Sequence, residues 1–381
     1  MKIMIGADLV PTTSNIEMFS SGEAELLLGK ELLQLINCQS TYSIFNLETP
    51  LCDISKPISK NGPCLMAPTA TIRGYNAIGV SLLTLANNHI LDQSEQGLES
   101  TLNTLNMNNI PYVGVGKNLE EAAKPYIFDF ASKKVGVYAC TEHEFSIATD
   151  KKMGANPFEP LDTMEHIEAL KEKCDYVIVL YHGGKEHYRY PSPNLQKICR
   201  KLVDKGANLV ICQHSHCIGC EEKYGDGTIV YGQGNFLFDH SESEFWQTSL
   251  LVDIDIHFEI TYIPLVKCGN KVRIAQNEVA EEILNSFYER SEEIKKDNLV
   301  QMKYSEFADD MITNYLLSFS TLRYKSLLFR GLNKITRYRF GKFLTNKKYN
   351  KRKLLALQNY IECEAHRELL LDGIKNLLRM N

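Results

Sequence analysis

Over residues 1 to about 266 the chain alternates short apolar runs with amphipathic stretches. KIMIG (2–6), YSIFN (42–46), SLLTLA (81–86), VGVYAC (135–140), YVIVLY (176–181), LVICQ (209–213) and TIVYG (228–232) are short, rich in β-branched and aromatic residues, and predict strands. Between them, residues 94–108 repeat Leu98, Leu102 and Leu105 on one helical face, and residues 194–205 repeat Leu195, Ile198, Leu202 and Val203. Strand alternating with helix predicts a layered α/β domain. LLVDIDIHFEITYIPL (250–265) alternates polar with apolar positions, as an antiparallel strand or hairpin does, so the sheet is expected to be mixed. After about residue 280 the period-two signal stops. Residues 281–318 and 354–380 read as helices, and there is no internal repeat or low-complexity tract. The expected organisation is an α/β domain over 1–270 and a helical, basic extension over 280–381, with a soft boundary near 267–280.

Composition changes this picture little, but charge changes it more. Among 381 residues, 44% are apolar and 23% charged, enough for a sizeable core. No apolar stretch approaches the roughly 18–20 residues that a membrane span requires. MKIMIGADLV has neither a secretory h-region nor a cleavage site. The 11 cysteines lack framework spacing and suit a reducing compartment, so the expected location is cytoplasmic. The net charge of −5 hides an asymmetry: twelve Lys and Arg lie between residues 323 and 353, and no Asp or Glu occurs over 311–361. The rest of the chain then holds 30 basic against 47 acidic residues. Such a segment is expected to meet something anionic.

The chemistry sits at the ends of the predicted strands. Asp8 follows KIMIG, Glu48 follows YSIFN, and Asn87, Asn88 and His89 follow SLLTLA. His182 follows YVIVLY, His214 and His216 follow LVICQ, and Asn235 and Asp239 follow TIVYG. In parallel α/β sheets ligands bind outside the carboxyl ends of the strands, so these residues are expected to share one crevice. A lone strand-end histidine is ordinarily structural, and Asn or Asp there is ordinarily a turn former. Six such strands in one chain exceed what turn chemistry explains. Asp, Glu, Asn and His suit a pair of borderline divalent ions, with a carboxylate such as Glu48 able to bridge them.

With those residues in view, the chain resembles the CapA (PGA_cap) capsule-synthesis family, which has a calcineurin-like metallophosphoesterase fold. The matching stretches are GADL (6–9), NLETPL (46–51), LANNHILDQSEQGLEST (85–101), HGGKEH (182–187), QHSHCI (213–218) and YGQGNFLFD (231–239). The resemblance implies a layered α/β sandwich with mixed sheets and a helical C-terminal appendage. It implies that Asp8, bridging Glu48 and His216 bind a first metal, and that Asn88, His182 and His214 hold a second. His89 would be a proton donor oriented by Asp92, and Glu186 a substrate-facing or supporting carboxylate. The larger superfamily has Asp-x-His at the first strand, whereas Val10 stands here, leaving that site a ligand short. Gly183 and His187 replace the family's usual Trp and Tyr.

Three functions are compatible with this reading. The first is metal-dependent hydrolysis of a phosphoester, with one or two ions of manganese, iron or zinc and His89 protonating the leaving oxygen. The second keeps the site but acts on an amide, by γ-glutamyl hydrolysis, transfer or epimerisation. The third is a non-catalytic subunit of a surface-polymer synthesis system, which the missing histidine at position 10 permits. SKNGPCLMAP (59–68) offers Lys60 as a cation for an anionic substrate, and Cys217 with Cys220 forms a CxxC lacking a second pair. The expected substrate is an anionic polymer or phosphoester. Residues 322–355 mix basic and apolar side chains and are expected either to pack as a solvated face or to attach peripherally to an anionic membrane surface or an acidic polymer; no nucleic-acid motif accompanies them.

Overall fold

The computed structural model describes residues 1–239, 242–319, 327–337 and 339–380. In chain order the strands are β1 (Lys2–Val10), β2 (Thr41–Asn46), β3 (Leu82–Thr84), β4 (Tyr112–Val113), β5 (Val115–Gly116), β6 (Tyr126–Phe130), β7 (Lys133–Thr141) and β8 (Gly154–Ala155). They continue as β9 (Tyr176–His182), β10 (Leu209–Gln213), β11 (Glu221–Tyr224), β12 (Gly227–Val230), β13 (Leu237–Phe238), β14 (Thr248–Ile254), β15 (Ile260–Cys268) and β16 (Lys271–Ile274).

Two mixed sheets carry the fold. The first runs β16-β15-β14-β1-β2-β3-β4, with β13 also on β1, and the second runs β11-β12-β10-β9-β7-β6. Within the first, β1 to β4 are parallel, while β14, β15 and β16 extend the sheet antiparallel. Within the second, β12, β10, β9 and β7 are parallel and the two edges antiparallel. The expected hairpin over 250–265 is the antiparallel pair β14–β15.

Side-chain alternation explains the layering. Ile3, Ile5, Ile44 and Leu82 point from the first sheet into a core shared with Val135, Val137, Ile178, Leu180, Leu209 and Ile211 of the second. The intervening Met4, Phe45 and Leu83 point outward onto helical residues Phe19, Leu27, Tyr75 and Leu98. Val177, Val179 and Val210 do the same against Ile167, Leu170, Leu195 and Leu202. Because these strands are covered on both faces, their sequences read as continuous apolar runs. The result is the layered α/β sandwich with mixed sheets. Its helices begin where the sequence marks them: Ser192 Oγ accepts from the Leu195 N–H at 3.0 Å and Pro193 opens the helix Pro193–Asp204.

The chain divides into compact units of residues 1–301 and 302–381. The division falls later than 267–280 because the helix Asn277–Glu293 buries Ile283 and Phe287 in the core between the sheets. Its Ser291 Oγ also accepts from the Glu221 N–H at 2.8 Å. The helix expected over 281–318 is broken: one helix ends at Glu293, and Asn298, with a positive φ of 59°, stands immediately before Leu299–Ser318. The helix expected over 354–380 is two, Lys351–Glu362 and Glu364–Met380, parted by an extended Cys363. Inside the C-terminal unit Leu317 is buried, Phe329 and Phe340 pack at 5.5 Å, and Asn333 Oδ1 accepts from the Gly341 N–H at 2.9 Å. Arg323 and Lys325, part of the expected basic segment, lie outside the described residues.

Candidate metal centre

Parallel strands deliver the donors. Asp8 lies near the end of β1, where the register with β2 shifts between Ile5 and Asp8, an irregularity that re-aims its side chain. Glu48 lies two residues past β2, Asn88 past β3, and His182 ends β9. His214 and His216 follow β10 with positive φ of 82° and 53°, strained values for histidine. Both imidazoles are thus turned back toward the other donors. One atom each from Asp8, Glu48 and His216 lies within 4.8 Å of the others, and so does one each from Glu48, His182 and His214. Glu48 is common to both groups.

Around His182 Nε2 three lone-pair atoms converge: Asn88 Oδ1, Glu48 Oε1 and His214 Nδ1, each at 3.1 Å. Asn88 is held in this pose because its Nδ2 donates to Glu144 Oε2 at 2.6 Å. On the other side His216 Nδ1 lies 3.5 Å from Asp8 Oδ2 and 2.8 Å from Asn235 Oδ1, and its ring stacks on Trp246 with centroids 4.5 Å apart. Asn46 Nδ2 donates to Asp8 Oδ1 at 2.7 Å and lies 3.3 Å from His182 Nδ1. Val10 is buried with Phe238 and Trp246 in an apolar cluster and offers no ligand.

The donor set fits divalent ions on its own terms. Glu48 is fully buried, and neither of its carboxylate oxygens has a hydrogen-bond partner; the 3.1 Å approach to His182 lacks hydrogen-bond geometry. A buried carboxylate left in that state is costly unless a cation compensates it. Oxygen and nitrogen donors without thiolate suit manganese, iron or zinc.

The charges of the cluster report the same need. Burial pushes the Asp8 carboxyl up, but His216 and His182 outweigh it and hold it below the usual range. Burial opposes the charge on His216, yet its hydrogen bond to Asp8 and the nearby Glu48 and Asp8 charges raise it to about 9. His182 is likewise raised against burial by Glu48 and Asp8. His214, desolvated and faced by His182 and His216, is driven well below its ordinary value. Without an ion, protons on two imidazoles stand in for positive charge.

Beside the donors is a second constellation. His89 Nδ1 lies 2.6 Å from Asp92 Oδ2, and Asp92 also accepts from the Leu65 N–H at 2.6 Å. Lys60 Nζ bonds Asp92 Oδ1 and lies 3.2 Å from His89 Nδ1. Asp92 and Lys60 have side chains 0% and 2% exposed, whereas His89 keeps 12% of its side chain open. Asp92 therefore holds an imidazole whose outer edge reaches solvent.

Eight of the nine expected site residues gather here: Asp8, Glu48, Asn88, His89, Asp92, His182, His214 and His216. Glu186 does not join the donor cluster; it lies half-exposed in the loop after β9, next to His187, whose Nε2 accepts from Trp246 Nε1 at 2.9 Å. Asp239 pairs with Lys267 at 2.8 Å. Cys217 and Cys220 are buried, and burial pushes the Cys217 thiol up to about 11, which does not favour a reactive thiolate. Asn46 and Glu144 were missed. Glu144 follows β7, the one central strand to which no site residue was assigned, so the strand-end rule applied there as well would have found it. Gly183 has a reason of its own: a Cβ there would meet Glu142 Cγ at 2.6 Å, and Glu142 Oε1 accepts from the Gly184 N–H at 2.9 Å.

A family model for the bacterial capsule synthesis protein PGA_cap matches residues 28–240. The chain belongs to this family. Among PGA_cap relatives, the capsule biosynthesis protein CapA of Bacillus anthracis is 25% identical over 56% of this chain and 58% of its own length. The PGA biosynthesis protein CapA of Bacillus subtilis is 24% identical over 67% of this chain and 74% of its own. The chain thus spans less than two thirds of the anthracis relative. Two solved structures are also similar: a phosphatase from Mycoplasma pneumoniae (14% identity, TM-score 0.42, 70% of this chain and 93% of that one) and a 5'-nucleotidase precursor from Thermus thermophilus (13%, 0.42, 76% and 58%). Likeness at that level says nothing about chemistry.

Proposed function

We propose that this PGA_cap protein is a metal-dependent hydrolase of the phosphoesterase type, acting in capsule, poly-γ-glutamate or related surface-polymer synthesis. The observation that carries it is the His89–Asp92–Lys60 constellation standing beside a buried Glu48 whose oxygens have no hydrogen-bond partner. Asp8, Glu48 and His216 would hold one divalent ion, and Glu48, Asn88, His182 and His214 a second. Bound there, such ions supply Lewis-acid polarisation of a phosphoryl oxygen and compensation of the charge that develops on it.

The chain's own groups do the rest. Asp92 keeps a proton on His89 Nδ1, leaving Nε2 to hold the proton that the leaving oxygen takes. Lys60 and the Leu65 N–H occupy the other acceptor positions of Asp92, so the carboxylate cannot swing away from the ring. Glu144 orients the Asn88 amide. Trp246 and Phe238 cover His216 and exclude water from the Asp8 side. Metal binding alone would need neither His89 nor Asp92, which favours catalysis over a purely structural centre.

The test is hydrolysis of a generic phosphodiester, bis(p-nitrophenyl) phosphate, with metal content measured alongside. Asp8→Ala and His214→Ala should lose both metal and turnover. His89→Ala should retain metal while kcat falls by about 10²–10⁴-fold. Turnover that persists in metal-free protein, or an unimpaired His89→Ala, overturns the proposal. The Bacillus subtilis relative's name brings a γ-glutamyl amide forward as the alternative bond. Silence on every phosphoester, with glutamate released from γ-glutamyl peptides, would assign the same residues to that chemistry.

A further inference from the structure

We infer that the C-terminal unit is a docking surface for an anionic lipid bilayer. Residues 302–381 hold sixteen Lys and Arg against seven Asp and Glu, and none of the seven lies between Asp310 and Glu362. The structure shows what accompanies that charge. In the helix Arg339–Lys348, Gly341 and Thr345 are the buried face, while Phe343 stands 62% exposed between Arg339 and Lys347, one turn to either side and both exposed. At the end of the preceding helix, Leu327–Ile335, Ile335 is 80% exposed beside the exposed Lys334 and Arg337. The helix Lys351–Glu362 begins with exposed Lys351, Arg352 and Lys353, followed by exposed Leu354 and Leu355, and buries no residue.

A solvated basic face accounts for the lysines and arginines but not for a phenylalanine and an isoleucine held out among them. In the helix Arg339–Lys348 the inner face is already filled by Gly341 and Thr345, so Phe343 is not a core residue turned the wrong way. A soluble polyanion would likewise engage the cations and leave the apolar side chains in water. The headgroup region of an anionic bilayer takes both: phosphates meet the cations, and the acyl boundary takes Ile335 and Phe343. Among the described residues no helix is long and apolar enough to cross a membrane. Each basic residue near such a surface strengthens partitioning by roughly fivefold.

The experiment is co-sedimentation of the full-length chain with phosphatidylcholine vesicles, with and without phosphatidylglycerol, at low and high salt. Four samples are compared: wild type, Ile335→Asp/Phe343→Asp, Arg339→Glu/Lys347→Glu, and wild type with soluble poly-γ-glutamate as competitor. Circular dichroism and metal content confirm that the variants keep their fold. Binding is expected only to the anionic vesicles, falling at high salt, at least tenfold weaker after charge reversal, and lost when the two anchors become aspartate. Equal sedimentation with neutral vesicles, or a charge-reversed variant that binds as wild type does, overturns the inference. So does tight binding of soluble poly-γ-glutamate that Ile335→Asp/Phe343→Asp leaves unchanged, since that outcome makes the surface a polymer site.

Discussion

Glu48 is the residue on which both donor groups depend, and it is buried with two unpartnered oxygens. Glu48→Gln keeps the volume and removes the charge. It should fold normally yet bind metal at least tenfold more weakly, read by equilibrium dialysis. Titration of His216 gives a second prediction. In metal-free protein its value, raised to about 9, lies above the roughly 6.5 of an unfolded histidine. That difference stabilises the metal-free fold fully below about 6.5, and the contribution is lost as pH rises through about 9. An ion needs the neutral imidazole, so metal affinity should climb with pH up to about 9 and then level off, with proton release seen in weakly buffered calorimetry. A flat profile would contradict this. Lys60→Met leaves Asp92 charged and buried without its cation, and should cost roughly 3 kcal/mol in chemical denaturation. The candidate ligands were legible because each lies at or shortly past the carboxyl end of a strand. Asn46 and the full part played by Lys60 were not, since an amide spanning Asp8 and His182, or a loop lysine folded onto Asp92, is visible only once distant segments meet.

At the scale of elements, the long central strands were legible because both faces are buried and nearly every position is apolar. The short edge strands β6, β11 and β16 were not, because solvent on one side dilutes the pattern with lysine, aspartate and glutamate. The bend that returns the chain from β10 to β11 tests the packing around the centre. A Cβ on Gly219 would lie 2.0 Å from the Tyr231 carbonyl oxygen, and the Gly219 N–H donates to the Gly232 carbonyl at 3.1 Å. Gly219→Ala must therefore push apart two backbones three residues from His216. It should cost about 2–3 kcal/mol and weaken metal retention. Gly331→Ala is the counterpart: it lies inside a helix with nothing within 4 Å of its Cβ position, so it should raise stability by up to about 1 kcal/mol. Thermal melts of both variants decide whether close backbone approach, rather than glycine's flexibility, is what position 219 requires.

For the whole molecule, the α/β signal and its loss near residue 280 were visible in the sequence, but the place of division was not. The helix Asn277–Glu293 reads as surface-like, with glutamates along it, yet Ile283, Phe287 and Ser291 tie it to the sheets. If the centre binds ions in the native state alone, the fold is linked to metal. At a hundredfold excess over Kd that linkage contributes about 2.7 kcal/mol, so chelation should lower the melting temperature by several degrees and readdition should restore it. The central claim, a metal centre built on Glu48 that carries hydrolysis, is tested most directly by one paired measurement. Wild type and Glu48→Gln, purified side by side, are assayed for bound manganese, iron and zinc and for turnover of bis(p-nitrophenyl) phosphate. The account predicts about one equivalent or more of metal with turnover in wild type, and loss of both in Glu48→Gln. Wild-type protein that stays metal-free in every supplemented buffer, or equal turnover in the two proteins, would contradict it.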